Sequence, residues 1–177
     1  MPPALTPQQQ NVTAQPRLSA GALADQLAPV IIPVGLKASK ANTVKKARRV
    51  ILTLIEIGTA EEIVGAVVNE LGNSSPKVPA ECLGCLVDAI AAFGLFSLPF
   101  KTIIGRMNGL LEDPDKKKKD GAFKLLVEIV KWMGAPSLGF AIHRLDDKQK
   151  ANLEKKTKDS NPVRTTHRAL RENITRY

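Results

Sequence analysis

The sequence of 177 residues fits one domain with tails, and its 44% apolar against only 4% aromatic content makes any core an aliphatic one, better suited to helices packed on helices than to a sheet sandwich. A formal net charge of +9 attracts acidic partners of any class, and two cysteines are too few for a disulfide scaffold.

Residues 1–20, MPPALTPQQQNVTAQPRLSA, are rich in Pro and Gln and short of apolar residues. They have no charged n-region and no apolar core of a signal peptide, and are expected to be disordered or a linker. From Ala22 to Trp132 the pattern is helical. Leu27, Val30, Ile31 and Val34 form the first expected apolar face, and Ala47, Val50, Ile51 and Leu54 the second. Ile63, Val64, Val67, Val68 and Leu71 follow, then Cys82, Leu83, Leu86, Val87 and Ile90. Ile103, Ile104, Met107, Leu110 and Leu111 form the fifth face, and Ala122, Leu125, Leu126, Ile129, Val130 and Met133 the sixth. Spacings of three and four predict amphipathic helices, and nothing alternates with period two. The longest apolar run, Leu86 to Phe100, is interrupted by Asp88, Gly94 and Pro99, so no membrane span is expected.

Gly58, Gly94 and Gly134 each stand where a helix would close, 36 and 40 residues apart. Short polar turns fall between them: Lys40 to Thr43, Asn73 to Pro76, and Asp113 to Asp115. Overlaid, LKASKANTVKKARRVILTLIEIG, LGNSSPKVPAECLGCLVDAIAAFG and LEDPDKKKKDGAFKLLVEIVKWMG read as three copies of one unit. A period near 40 with two helices per unit predicts an all-α solenoid of HEAT type, about three hairpins long. A short helix over 136–143 and a polar helix from Asp146 to Lys156 with an Asp cap are expected next. Residues 158–177 are basic, sparse in apolar residues, and read as a tail.

Charge gathers in two places. Lys116 to Lys119 open a helix, where the macrodipole is already positive. Lys37, Lys40, Lys45, Lys46, Arg48 and Arg49 have no acid among residues 37–49. Cys82 and Cys85 form a Cys-x-x-Cys without further ligands, so buried helical thiols are expected rather than a zinc site. With both inside a predicted helix, a reducing, cytoplasmic setting is expected. His143 and His167 have no paired acid or nucleophile, and no phosphate loop or nucleophile elbow is present. No enzyme, metal or cofactor is expected.

The segments Asn42-Thr43-Val44-Lys45-Lys46, Ser75-Pro76-Lys77-Val78, Glu112-Asp113-Pro114-Asp115 with Lys116 to Lys119, GAFKLLVEIVKWMG and LDDKQKANLEK resemble the second half of a TOG domain, the HEAT-repeat module of microtubule polymerases and related microtubule-associated proteins. The resemblance covers roughly residues 22–157 and implies a TOG-like domain over 21–157. In that family the turns inside the repeats line one edge that binds αβ-tubulin. By position the edge here would be Lys40, Thr43, Lys45, Lys46, Lys77, Lys116, Lys117 and Lys118, its positive charge matching an acidic partner. The resemblance thus implies a tubulin- or microtubule-binding module at the cytoskeleton.

The alternative is a protein–protein adaptor, as in the small TOG-like domains of the family that recruit partners. Leu23 to Leu36 contains one acid and no base, so it makes a poor solenoid cap. A partner, a neighbouring domain or another copy is expected near Leu27, Val30 and Ile31. A nucleic-acid partner rests on charge alone, since one Trp and one Tyr offer little for stacking on bases.

Overall fold

The computed structural model describes residues 19–57 and 60–158. The readings made for residues 1–18, for the tail beyond Lys158 and for Gly58 fall outside them. Among the described residues there are eight α-helices and no strand: α1 (Ala20–Lys37), α2 (Ala41–Ile57), α3 (Ala60–Asn69), α4 (Lys77–Phe93), α5 (Phe100–Leu111), α6 (Lys116–Met133), α7 (Gly139–Ile142) and α8 (Asp147–Thr157). Single 3-10 turns extend α3 over Glu70–Gly72 and join later helices over Leu95–Ser97 and Ala135–Leu138.

Each helix pair α1–α2, α3–α4 and α5–α6 packs as a hairpin, and the hairpins stack in two layers. α1, α3, α5 and α7 touch in succession along one layer, and α2, α4, α6 and α8 along the other. This is the expected α-solenoid. It also has a fourth, shortened unit, α7–α8, which the sequence showed only as two loose segments. Its second helix begins with a capping box: Asp146 accepts from the Gln149 amide at 2.7 Å, and the Gln149 side chain accepts from the Asp146 amide at 3.2 Å.

One continuous aliphatic core runs between the layers. Ile63, Val64, Leu83, Ile90, Leu125 and Ile129 are fully enclosed, from three faces that the spacing predicted. α1 is different. Its buried stripe is Ala24, Ala28, Ile32 and Leu36, while Val30 and Val34 of the expected face point outward. Ala24 and Ala28 are the small members of this stripe, while Ile32 and Leu36 are among the largest fully buried side chains. At Gly35 a Cβ would lie 2.6 Å from the Ala47 Cβ, so α1 and α2 are in close contact there. α1 also runs through Pro29 and Pro33, each of which removes an intrahelical hydrogen bond. Packing of the Ala24–Leu36 stripe overrides that local preference.

Gly94 and Gly134 both have φ of 78° and end α4 and α6 as predicted, their amides donating to Ile90 and Val130 carbonyls at 2.9 and 2.8 Å. A Cβ at Gly94 would also come within 2.9 Å of the Trp132 ring. Trp132 packs there edge-on to Phe96, which in turn meets Phe100.

Candidate functional site

The turns that connect the two helices of each unit lie side by side. Lys77, opening α4, donates its ammonium to the carbonyl of Ala38 at the end of α1. Arg144, after α7, is ion-paired with Glu112 at the end of α5. Between these pairs, Ala80 and Lys117 border one shallow cleft of about 460 Å³ between α4 and α6. Four successive turns therefore make one edge, the fourth contributed by residues 143–146.

The second and third turns are built alike. The Asn73 side chain accepts from the Ser75 amide at 2.9 Å, and the Asp113 side chain accepts from the Asp115 amide at the same distance. Each is an Asx turn that presets the chain for the coming helix. Asp115 then caps α6, accepting from the Lys117 and Lys118 amides at 2.7 and 3.1 Å. This carboxylate, with Asp113 beside it, offsets the lysines at the positive end of the helix macrodipole.

The eight residues expected on the edge have different roles. Lys40, Thr43, Lys45, Lys46, Lys116 and Lys117 are exposed. Lys77 is half-buried and caps α1 through its bond to Ala38. Lys118 is half-buried and ion-paired to Asp113 at 3.4 Å. Lys77 and Lys118 thus hold turns together. Lys46 shares a helical face with Val50, four residues on, and looks toward the outer side of the first hairpin. α2, α4 and α6 all start at this edge without an acid in the first turn. The α1, α3 and α5 C-termini lie beside those starts and oppose their dipoles, so the lysine side chains set the sign of the edge.

Arg48, one residue of the basic run, leaves the edge for the partly exposed seam between α2 and α4. Its guanidinium reaches from α2 to α4 and pairs with Glu81 at 2.9 Å and Asp88 at 3.1 Å. Those acids are two helical turns apart, and Gly84 lies between them on the same face. A Cβ at Gly84 would sit 1.8 Å from a guanidinium nitrogen, so only glycine lets Arg48 lie flat across α4. The motif Glu-x-x-Gly-x-x-x-Asp on one helix face, opposite an Arg on the apolar face of α2, is a signal that could have been found in the sequence. Burial raises the Asp88 carboxyl above its ordinary value, although Arg48 pulls it back.

Cys82 and Cys85 are buried free thiols. Burial pushes the Cys85 thiol up to about 12 and raises Cys82 as well, so neither is a nucleophile near neutral pH. Among the described residues no group of three or more His, Cys, Asp or Glu side chains converges as a metal site. No helix among them is long and apolar enough to cross a membrane.

The arrangement of stacked helical hairpins matches known proteins. The sequence model of the XMAP215/Dis1/CLASP TOG domain matches residues 6–157. The chain belongs to this TOG-domain family. Among curated relatives, the spindle pole body component alp14 of Schizosaccharomyces pombe is 28% identical over 119 residues, 67% of this chain and 15% of that protein. Protein mini spindles of Drosophila melanogaster is 30% identical over 105 residues, 59% of this chain and 5% of that protein. Centrosomal protein 224 of Dictyostelium discoideum is 32% identical over 90 residues, 51% of this chain and 4% of that protein. The TOG chain thus spans a small part of these much longer relatives. Among solved structures, one described as showing tubulin recruitment and assembly by microtubule polymerases with TOG-domain arrays superposes with a TM-score of 0.73 at 22% identity, over 91% of this chain and 36% of that one. The MAST/Orbit N-terminal domain superposes with a TM-score of 0.65 at 24% identity, over 80% of this chain and 65% of that one.

Proposed function

We propose that the chain is a non-enzymatic tubulin- or microtubule-binding module of the cytoskeleton that engages its partner through the turn edge. The observation that carries this reading is the alignment of four turns on one side of the stack with Lys40, Lys45, Lys116 and Lys117 extended into solvent. Family membership supports it, as does the solved structure whose protein recruits tubulin. An acidic protein surface laid along the edge would meet these ammonium groups with no competing ion pair to break first. Such exposed charges raise association rate and set orientation more than they raise affinity.

The test is size-exclusion chromatography and fluorescence binding with αβ-tubulin at low and physiological salt. Reversing charge at Lys45 and Lys117 together is expected to weaken binding about tenfold or more, because each reversal turns an attraction into a repulsion. Reversing Lys148 and Lys155 on α8 is expected to change it less than about twofold, the range of nonspecific screening at a distance. Equal losses for the two pairs, or no complex at physiological salt, would sink the edge reading. Lys77 and Lys118 are poor test positions, since changing them also disturbs the turns.

A further inference from the structure

We infer that the outer face of the α1–α2 hairpin docks an amphipathic helix of a partner protein whose apolar stripe is flanked by acidic residues. Seven large hydrophobic side chains are exposed among the described residues, and five of them are on this hairpin: Leu23 at 42%, Val30 at 60%, Val34 at 68%, Val50 at 39% and Ile57 at 45%. They form a surface rather than a scatter. Leu23, Val30 and Val34 are seven and four residues apart, on one side of α1. Val50 and Ile57 are seven apart, on one side of α2.

The register is fixed where Gly35 meets Ala47. In an antiparallel pair set by that contact, Ile57 comes level with Asp25, about 3 Å along the axis from Leu23, and Val50 falls between the levels of Val30 and Val34. Helical phase puts both rows on the side of the hairpin facing away from α3 and α4. The opposite side carries Arg48 toward Glu81 and Asp88, and the stripe Ala24–Leu36 toward the core. The outer face is therefore two parallel rows of branched apolar residues with a shallow seam between them. The seam is about 16 Å long at the rise of an α-helix, which suits a partner helix of three to four turns.

Charge selects the occupant. Residues 23–57, which bound this face, contain six bases against two acids, Asp25 and Glu56. Lys37 and Lys46 are exposed and share the outer phase with Val30 and Val50. A second copy of this chain would bring the same lysines against each other across an isologous contact, which like-charge repulsion disfavours. A helix with Glu or Asp beside its apolar stripe covers the valines and meets the lysines at once. This surface is separate from the turn edge, and the inference does not rest on the tubulin reading.

The probes are two fluorescein-labelled peptides of 18 residues with the same Leu/Ile stripe, one flanked by Glu and one by Lys, titrated by fluorescence anisotropy at physiological salt. The Glu-flanked peptide is expected to bind at least about tenfold tighter than the Lys-flanked one. The double variant Val30→Ser/Val34→Ser keeps the charge and touches only exposed positions, and is expected to weaken the Glu-flanked peptide about tenfold. Lys37→Ala/Lys46→Ala is expected to cost about threefold, as rim charges do. Lys116→Ala/Lys117→Ala on the turn edge should leave it within about twofold, the range of distant charges at this ionic strength. Equal binding of the two peptides, or no effect of the Val30/Val34 change, would overturn the inference. So would a dimer in sedimentation analysis that the same change dissociates, because the occupant would then be a second copy.

Discussion

At the scale of residues, the junction of Arg48 with Gly84 makes a sharp prediction. Alanine is favoured over glycine inside a helix by up to about 1 kcal/mol. At position 84 the added Cβ would push the guanidinium off both acids. These are partly exposed pairs, each worth up to about 1 kcal/mol. Gly84→Ala is therefore expected to be neutral or destabilising by about 1 kcal/mol in the natural sequence, where lost pairing cancels or exceeds the propensity gain. In an Arg48→Ala background the same change should become stabilising by about 0.5–1 kcal/mol. Urea unfolding of the four proteins in the cycle reads that reversal directly.

Asp88 supplies a second prediction at this scale. Burial is the larger influence on its carboxyl and raises it from the ordinary 3.8, with Arg48 acting in the opposite direction. The folded chain takes up this proton at a higher pH than the unfolded chain does. The Asp88 contribution thus becomes more favourable to folding as pH falls through the folded value toward 3.8, the reverse of a carboxylate held low by a salt bridge. Carbon-detected NMR titration is expected to place the midpoint above 3.8 and to move it higher still in Arg48→Ala. A midpoint that stays put without Arg48 would show that the guanidinium does not act on this carboxyl.

At the scale of elements, α6 shows how a helix start tolerates adverse charge. Lys116 and Lys117 stand in its first turn, each unfavourable by a few tenths of a kcal/mol against the macrodipole. The Asp115 carboxylate satisfies two orphan amides and supplies the negative charge that end prefers. Asp115→Ala is expected to cost about 1–2 kcal/mol, in the upper part of the capping range because the lysines are then unopposed. Asp115→Asn keeps the hydrogen bonds without the charge, so the difference between the two variants, measured by thermal unfolding at low and high salt, separates cap from charge. α1 teaches the converse. Its sequence is apolar nearly all round, so periodicity could not say which side faces inward, and contact with the neighbouring helices selected Ala24, Ala28, Ile32 and Leu36 as the buried stripe.

At the scale of the whole molecule, the two ends of the stack are unlike. The far end is closed by α8, which is polar except at Leu153, buried to 3% exposure. Lys156 on the same helix lies over the Phe123 ring of α6 at 5.8 Å. Leu153→Ala is expected to cost about 2–3 kcal/mol, at the low end of the range for core leucines since one face of the site can relax toward solvent. In a stack whose units touch only neighbours, the effect should stay local. Hydrogen exchange should quicken in α8 and the adjoining face of α6, and leave α2 and α3 unchanged. A uniform rise across all helices would show instead that the stack opens as one unit. Among the described residues the near end, α1 and α2, carries five of the seven exposed large hydrophobic side chains.

The sequence alone determined the helical class, the repeat period, the three unit boundaries at turns and the caps at Gly94, Gly134 and Asp146. These are local properties, set by periodicity, backbone freedom at positive φ and side chains that reach amides three residues away. The family resemblance, together with the matching positions of the turns in the repeats, marked Lys40 to Lys46, Lys77 and Lys116 to Lys118 as a group. Tertiary structure decided the rest. It turned Val30 and Val34 outward, added the α7–α8 unit, drew Arg48 across to Glu81 and Asp88, and engaged Lys77 and Lys118 in holding the turns while leaving their neighbours in solvent. The Arg48 and Lys77 outcomes depend on which helix lies beside which at a separation of about 40 residues, and the Arg48 outcome also on a glycine that makes room at its point of contact. Hydrophobic spacing cannot encode such pairings, since it fixes a face on one helix and is silent on what that face meets.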